Sequence, residues 1–528
     1  MAIHNPILRG FHPDPSIIRV GKDYYIATST FEWFPGVRIH HSTDLQHWAY
    51  VGSPLDRISL LDIKGVPDSC GVWAPCLSYD GDFFYLVYSQ VRSFDGVWKD
   101  TPNYLTTARD IHGPWSEPIS LGSHGFDASL FHDEDGRKWY LSMEVDHRKG
   151  KFFGGIILQE YDVKAEKLVG PVHRIFEGTE LGKTEGPHLY QKDGYYYLIT
   201  AEGGTEYGHA ASLARSRKIT GPYEVCPHNP IISAKDHPNH PIQKTGHADL
   251  VQTESGEWYI VFLVGRPLTP LGNCPLGRET CIEKLSWPEG QWPRLETGGR
   301  LARVEIPGDQ AEGNPFVRER VDFSRDTLPP TYQSLRIPQE ESWVTHIPES
   351  GVLRLFGRES LTSLFEQSLL ARRVQSHDFA YEVTLDFHPR NFQQMTGLVA
   401  YYNTGHYLYF YLMGDESGTA RWLQLIICDN FQVTEPITPI KLLNEGRVFL
   451  GLKWKSAEIT FTYAVGDGEM QDFPGIYDGS ILSDDHVREG SERYRPAFTG
   501  AFVGIACQDL SGTRAAADFA TLAYEETS

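Results

Sequence analysis

Asp14, Asp127 and Glu185 each open a copy of one short sequence pattern, and His247 opens another. Two carboxyl groups facing one cavity can divide a hydrolysis between them. A protonated one supplies the leaving oxygen, and an ionised one takes a proton from water or attacks directly. Across a sugar-sized gap that is the machinery for breaking a glycosidic bond. A third carboxylate fits the scheme, because an ionised Asp127 beside Glu185 would raise the Glu185 pKa and keep its proton near neutral pH. Taken singly each residue has a plainer reading: Asp14 as a turn residue before Pro15, Glu185 as a loop carboxylate, His247 as a core histidine. Their coincidence in one slot of a repeat favours the functional reading.

The elements that must position these groups are hairpins. The copies read DPSIIRVGKDYYIATS from Asp14, APCLSYDGDFFYLVYS from Ala74, DASLFHDEDGRKWYLSME from Asp127, EGPHLYQKDGYYYLITAE from Glu185 and HADLVQTESGEWYIVFLV from His247. Each has a short strand, a Gly-containing turn and a second strand rich in aromatic and β-branched residues. Successive starts lie 60, 53, 58 and 62 residues apart, the length of four strands with loops, and this period predicts a five-bladed β-propeller. The first strand of every propeller blade runs beside the central channel, so the opening residues should converge on one axis.

The motifs GFHPDPSI, TSTFEWFPGVRIHHSTDLQHW, GVWAPCLSY, FDASLFHDEDGRKWY, KTEGPHLY, GHADLV and LGRETCIEKLSW run in order through the first two-thirds of the chain. In these motifs the chain closely resembles glycoside hydrolase family 43, in particular its β-xylosidases. The resemblance implies an exo-acting, inverting enzyme that releases xylose from the non-reducing ends of short β-1,4-xylo-oligosaccharides, with α-L-arabinofuranosidase as a side activity. It implies Asp14 as general base, Glu185 as general acid and Asp127 as the group that tunes and orients Glu185. Phe31 and Trp73 are expected as pocket walls and Arg278 as a holder of sugar hydroxyls. His247 is expected beneath the site, orienting Asp127 or touching calcium through water, with no cofactor required. Relatives of this kind assemble as dimers or tetramers, so a homo-oligomer is expected.

Composition narrows the partners. Lys and Arg number 48 against 69 Asp and Glu, a net charge of −21, and no basic block occurs, which argues against nucleic-acid and anionic-membrane partners. No stretch is long and apolar enough to span a bilayer, and MAIHNPILRG lacks the basic and apolar segments of a signal peptide. Seven scattered Cys residues have neither metal-type nor disulfide-framework spacing. A cytoplasmic location is expected from this usage, and with it soluble, short substrates.

The repeat stops past Trp292. Residues 1–300 are expected to form the propeller, 301–320 a linker running through Pro307, Gly308, Gly313 and Pro315, and 321–528 a β-sandwich of jelly-roll type. Strands are expected at 380–387, 396–403, 406–413, 421–428, 448–454, 459–465 and 498–505. By the resemblance, the sandwich lends an aromatic side chain to the pocket rim, with Phe498 the candidate and Phe502 the second choice.

Overall fold

The computed structural model describes residues 2–94, 96–148, 152–307, 316–489 and 495–527. The chain divides into two compact units, residues 1–271 with 278–313, and residues 272–277 with 314–528.

The first unit holds five four-stranded antiparallel sheets. Their innermost strands are Ser16–Val20, Gly71–Tyr79, Gly125–His132, Glu185–Lys192 and Gln243–Gln252, and each packs against the innermost strands of its neighbours around a ring. The turn after each is made by Gly21, Gly81, Gly136, Gly194 or Gly256, all with φ between +62° and +103°, a region closed to most side chains. The aromatic second strands then fill the space between sheets. Tyr197 meets Trp287 edge-on at 4.8 Å and Trp258 lies 4.7 Å from Trp287, pairs worth about 0.5–1.5 kcal/mol each beyond the area they bury. The N-terminal segment closes the ring. Leu8 bridges Thr280, His12 N donates to Arg278 O at 2.9 Å, and the Asn5 side chain bonds both N and O of Ile282.

The expected linker carries secondary structure. Glu305–Ile306 pairs with Ile3–His4 in the first unit, and Arg318–Asp322 pairs with the last strand, Ala516–Glu526, in the second. Residues 308–315 lie outside the described residues.

The second unit is two antiparallel sheets facing each other. One is built on Ala516–Glu526, Asp378–Asp386, Val448–Lys455 and Glu458–Val465, the other on Arg421–Asp429, His406–Gly414, Gln394–Asn403 and Phe502–Asp509. Phe410 of the second sheet packs on Phe461 of the first, ring centroids 4.8 Å apart. The expected strands are present to within a few residues, except that the last begins at Phe502 and not at 498. The residues before it are held irregular by Ala501 N donating to Pro275 O at 2.7 Å. Gly500 approaches the chain so closely there that a Cβ would lie 2.8 Å from Leu276 O.

Candidate active site

A bulge in the innermost strands aims side chains at the hub. The ladder shifts register between Trp73 and Cys76, Phe126 and Ser129, Glu185 and His188, and Gly246 and Ala248. In the slot this creates, Asp127, Gly186 and His247 adopt φ of 54°, 56° and 47°, and Asp14, just ahead of its strand, adopts 53°. Left-handed backbone at a bulge re-aims a side chain, and in a non-glycine residue it is strain stored where it is used.

This corrects the repeat alignment. Gly186, not Glu185, occupies the slot of Asp127, and Glu185 stands one position earlier, level with Trp73 and Phe126. The four-residue EGPH segment runs through the bulge, and aligning it on its carboxylate misses the glycine that makes it. Glu185 therefore reaches the site from a neighbouring strand position. The Gly186 N–H, one residue on, donates to Asp127.

The expected carboxylates, Arg278 and His247 are buried together. Asp14 accepts from Ser29 Oγ at 2.6 Å and from Arg278 Nη1 at 3.2 Å. His247 Nδ1 stands 3.8 Å from Asp14 and 3.9 Å from Asp127, and its ring lies beneath Gly186, where a Cβ would come within 3.0 Å of Cε1. The Arg278 guanidinium also lies 5.4 Å from the centroid of the Phe31 ring. Phe31 continues into an aromatic wall, 6.0 Å from Trp73, which packs 5.0 Å from Phe126 and 4.7 Å from Phe94. Trp73 is fixed by its Nε1–H donating to Ser69 O at 2.9 Å.

These surroundings drive the carboxyl groups apart. Burial alone would raise Asp14, but the Arg278 charge and the Ser29 hydroxyl outweigh it and leave Asp14 below the ordinary carboxylate range. His247 also acts on Asp14 when protonated. Burial, however, holds the imidazole to about 4, so near neutral pH it is uncharged and Arg278 is the cation. Glu185 goes the other way: burial first, then the Asp14 charge, push it up to about 8 against the opposing pull of Arg278. Asp127 is pushed up as well, by burial and then by Glu185 and Asp14. The expectation that Asp127 stays ionised while Glu185 alone holds a proton is thus too simple. The Glu185 charge is itself one of the causes that raise Asp127, after burial.

Ser29 and His209 escaped the sequence reading. His209 sits just ahead of the strand Ala210–Ser216. Its ring fills the space above Gly246, where a Cβ would fall 2.1 Å from Cδ2, and burial holds it to about 3. Neither residue occupies a repeat slot, so periodicity carries no signal for them. Phe498 belongs to the second unit, where the Arg488 guanidinium stands 5.3 Å from its ring centroid. Phe502 is fully buried there, 5.3 Å from Arg373.

The chain is similar to proteins of known sequence and structure. Residues 3–293 match the profile of glycosyl hydrolases family 43, and residues 320–525 that of the beta xylosidase C-terminal concanavalin A-like domain. The chain is 48% identical to a beta-xylosidase of Bacillus subtilis (strain 168), over 100% of both chains. It is 47% identical to xylosidase/arabinosidase 43B of Humicola insolens, over 99% of this chain and 97% of that one. The crystal structure of xylan beta-1,4-xylosidase from Bacillus halodurans C-125 superposes with a TM-score of 0.94 at 50% identity, covering 99% of this chain and 100% of that one. A five-bladed propeller with a buried carboxylate pair and a concanavalin A-like sandwich, matched along its whole length, makes this chain a member of glycoside hydrolase family 43.

Proposed function

We propose that the chain is an exo-acting, inverting β-xylosidase that removes single xylose units from the non-reducing ends of short β-1,4-xylo-oligosaccharides. The observation that carries this reading is a buried site in which Ser29 Oγ and Arg278 Nη1 both donate to Asp14, so that Asp14 is held down while burial and the Asp14 charge push Glu185 up. Environments that separate two pKa values in this way assign the base and the acid. Asp14, ionised and oriented by Ser29 and Arg278, takes a proton from water as the water oxygen attacks the anomeric carbon. Glu185 gives its proton to the glycosidic oxygen as the C–O bond breaks on the opposite face. Attack opposite to departure inverts the anomeric centre. Asp14 then returns its proton to solvent and Glu185 regains one. Asp127 tunes and orients Glu185.

Phe31 and Trp73 offer aromatic faces to the C–H surface of a pentose, and Arg278 holds its hydroxyls. The beta-xylosidase and xylosidase/arabinosidase relatives support xylosides as the main substrates and arabinofuranosides as a side activity. Comparing turnover of nitrophenyl β-xyloside and nitrophenyl α-L-arabinofuranoside tests this. Faster xyloside turnover is expected, and arabinofuranoside turnover alone would overturn the assignment.

The donor set around His247 does not suit calcium as a direct ligand. Calcium needs six to eight oxygens, and the carboxylates flanking His247 are Asp14, already engaged by Ser29 and Arg278, and Asp127. A contact of His247 with calcium through water is the alternative to hydrolysis without a metal; without a metal, dialysis against EDTA should leave kcat unchanged, and a loss of kcat restored by calcium would favour the water-mediated contact. A cytoplasmic location is in keeping with the burial of all seven Cys side chains. Assembly as a dimer or tetramer is a further expectation, to be read from light scattering.

A further inference from the structure

The second unit gathers His406, Asp429 and His486, whose ligating atoms all lie within 4.8 Å of one another. His406 begins the strand His406–Gly414 and Asp429 ends the strand Arg421–Asp429. The two strands are antiparallel neighbours, with Tyr407 opposite Cys428, which sets His406 beside Asp429. His486 comes from the six-residue helix Asp484–Glu489. His486 Nε2 lies 2.8 Å from Asp429 Oδ1, and His406 Nε2 lies 3.6 Å from the same oxygen.

The tautomer of His406 is what points to a ligand. Asn403 Oδ1 accepts from the N–H of Gly405 at 2.9 Å, which identifies it as the amide oxygen, and it also lies 2.9 Å from His406 Nδ1. An amide oxygen can only accept, so Nδ1 carries the proton. With the proton on Nδ1, Nε2 is turned to the side of Asp429 Oδ1, the oxygen that His486 Nε2 also meets at 2.8 Å, so both imidazoles converge on one carboxylate. A ring nitrogen fixed by an outer hydrogen bond, with its other nitrogen turned inward, is how metal-binding histidines are oriented. Two imidazoles and one carboxylate suit zinc and its neighbours. Ligands of a tetrahedral zinc stand about 3.3 Å apart, from bond lengths of about 2.0–2.1 Å, within the observed spread. Asp429 and His486 are partly exposed, their side chains at 43% and 28%, which leaves an entry path and room for water as the fourth ligand.

We propose that His406, Asp429 and His486 form a structural site for a zinc-class divalent cation. The ion would staple the helix Asp484–Glu489 to the sheet. That helix is too short to be stable alone. It carries Asp485, whose Oδ2 accepts from Cys274 N at 3.0 Å, and Arg488, which covers Phe498 and donates to Ala497 O at 2.7 Å. Binding at His486 therefore fixes the helix whose Arg488 covers Phe498.

The test uses the full, untagged chain, loaded with zinc or cobalt(II) chloride and dialysed at pH 7.5. One metal per chain by elemental analysis is expected, together with visible cobalt bands of nitrogen and oxygen coordination and a higher melting temperature. His486→Ala and Asp429→Ala, checked by circular dichroism for intact folding, should lose the cobalt bands and the thermal shift. Asn403→Ala should weaken binding about 10–100-fold, as loss of an outer-shell partner does. Retention of metal by His486→Ala at the wild-type level would overturn the proposal. So would the absence of cobalt bands in the parent chain, which would mean that a proton, not a metal, sits between His406 and Asp429.

Discussion

Replacing Glu185 by Ala removes a proton donor whose value can be worked from its surroundings. With a pKa pushed up to about 8, roughly 90% of the side chains are protonated at pH 7. A carboxyl at the ordinary value of 4.5 would be about 0.3% protonated there, so burial beside Asp14 supplies on the order of 300 times more acid. General acid catalysis contributes about 10²–10⁴ in rate, or about 3–5 kcal/mol of barrier at 1.36 kcal/mol per decade. On xylobiose, where a sugar alkoxide must leave, kcat/KM should fall by that factor. On dinitrophenyl β-xyloside, whose leaving group departs without a proton, it should fall by no more than about tenfold. The alkaline limb of the pH profile, set near 8 in the parent, should vanish in the variant. Equal losses on both substrates would refute the acid assignment. A surviving limb near 8 would give the proton to Asp127.

The same burial lowers the stability of the fold. A carboxyl whose pKa is raised on folding stabilises fully only below its unfolded value, and each pH unit between about 4.5 and 8 then costs about 1.36 kcal/mol. Glu185→Gln, neutral throughout, should be more stable than the parent by on the order of 3 kcal/mol at pH 7, a gap that closes below about pH 4.5. Denaturant melts at the two pH values check this, and a gap that does not change with pH would sink it. In Arg278→Met, both Asp14 and Glu185 lose a charge that holds them down, so both limbs of the pH–rate profile should move to higher pH. The uncompensated Asp14 should also cost about 3–5 kcal/mol of stability; unmoved limbs would show that Arg278 does not face the carboxylates. Gly186→Ala should lose about 1–2 kcal/mol to left-handed backbone and lower kcat by displacing His247. A variant with parental kcat would show that the bulge does not position the site.

Much of this was legible in the sequence because repetition is a global signal. Five hairpins with a glycine turn and aromatic second strands can bury their faces only by stacking round a hub, and this places Asp14, Asp127 and His247 on the axis. For Glu185 the repeat is a misleading guide. Its motif is one residue out of step, and only the ladder between Glu185–Lys192 and Tyr195–Glu202 reveals that Gly186 takes the slot. Ser29 and His209 had no periodic signature and reach the site through loops. Nor did spacing single out His406, Asp429 and His486, which meet only because two strands pair and a helix folds back. The late start of the strand at Phe502 reflects contacts with residues 275–277, far away in sequence.

The central claim is that Asp14 activates water on one face of the sugar while Glu185 protonates the leaving oxygen on the other. Proton NMR recorded in the first minutes of β-xyloside hydrolysis reads this directly, before the free sugar mutarotates. α-Xylose is expected as the first product, with the β anomer growing in later. First release of β-xylose would require a covalent intermediate and would contradict it.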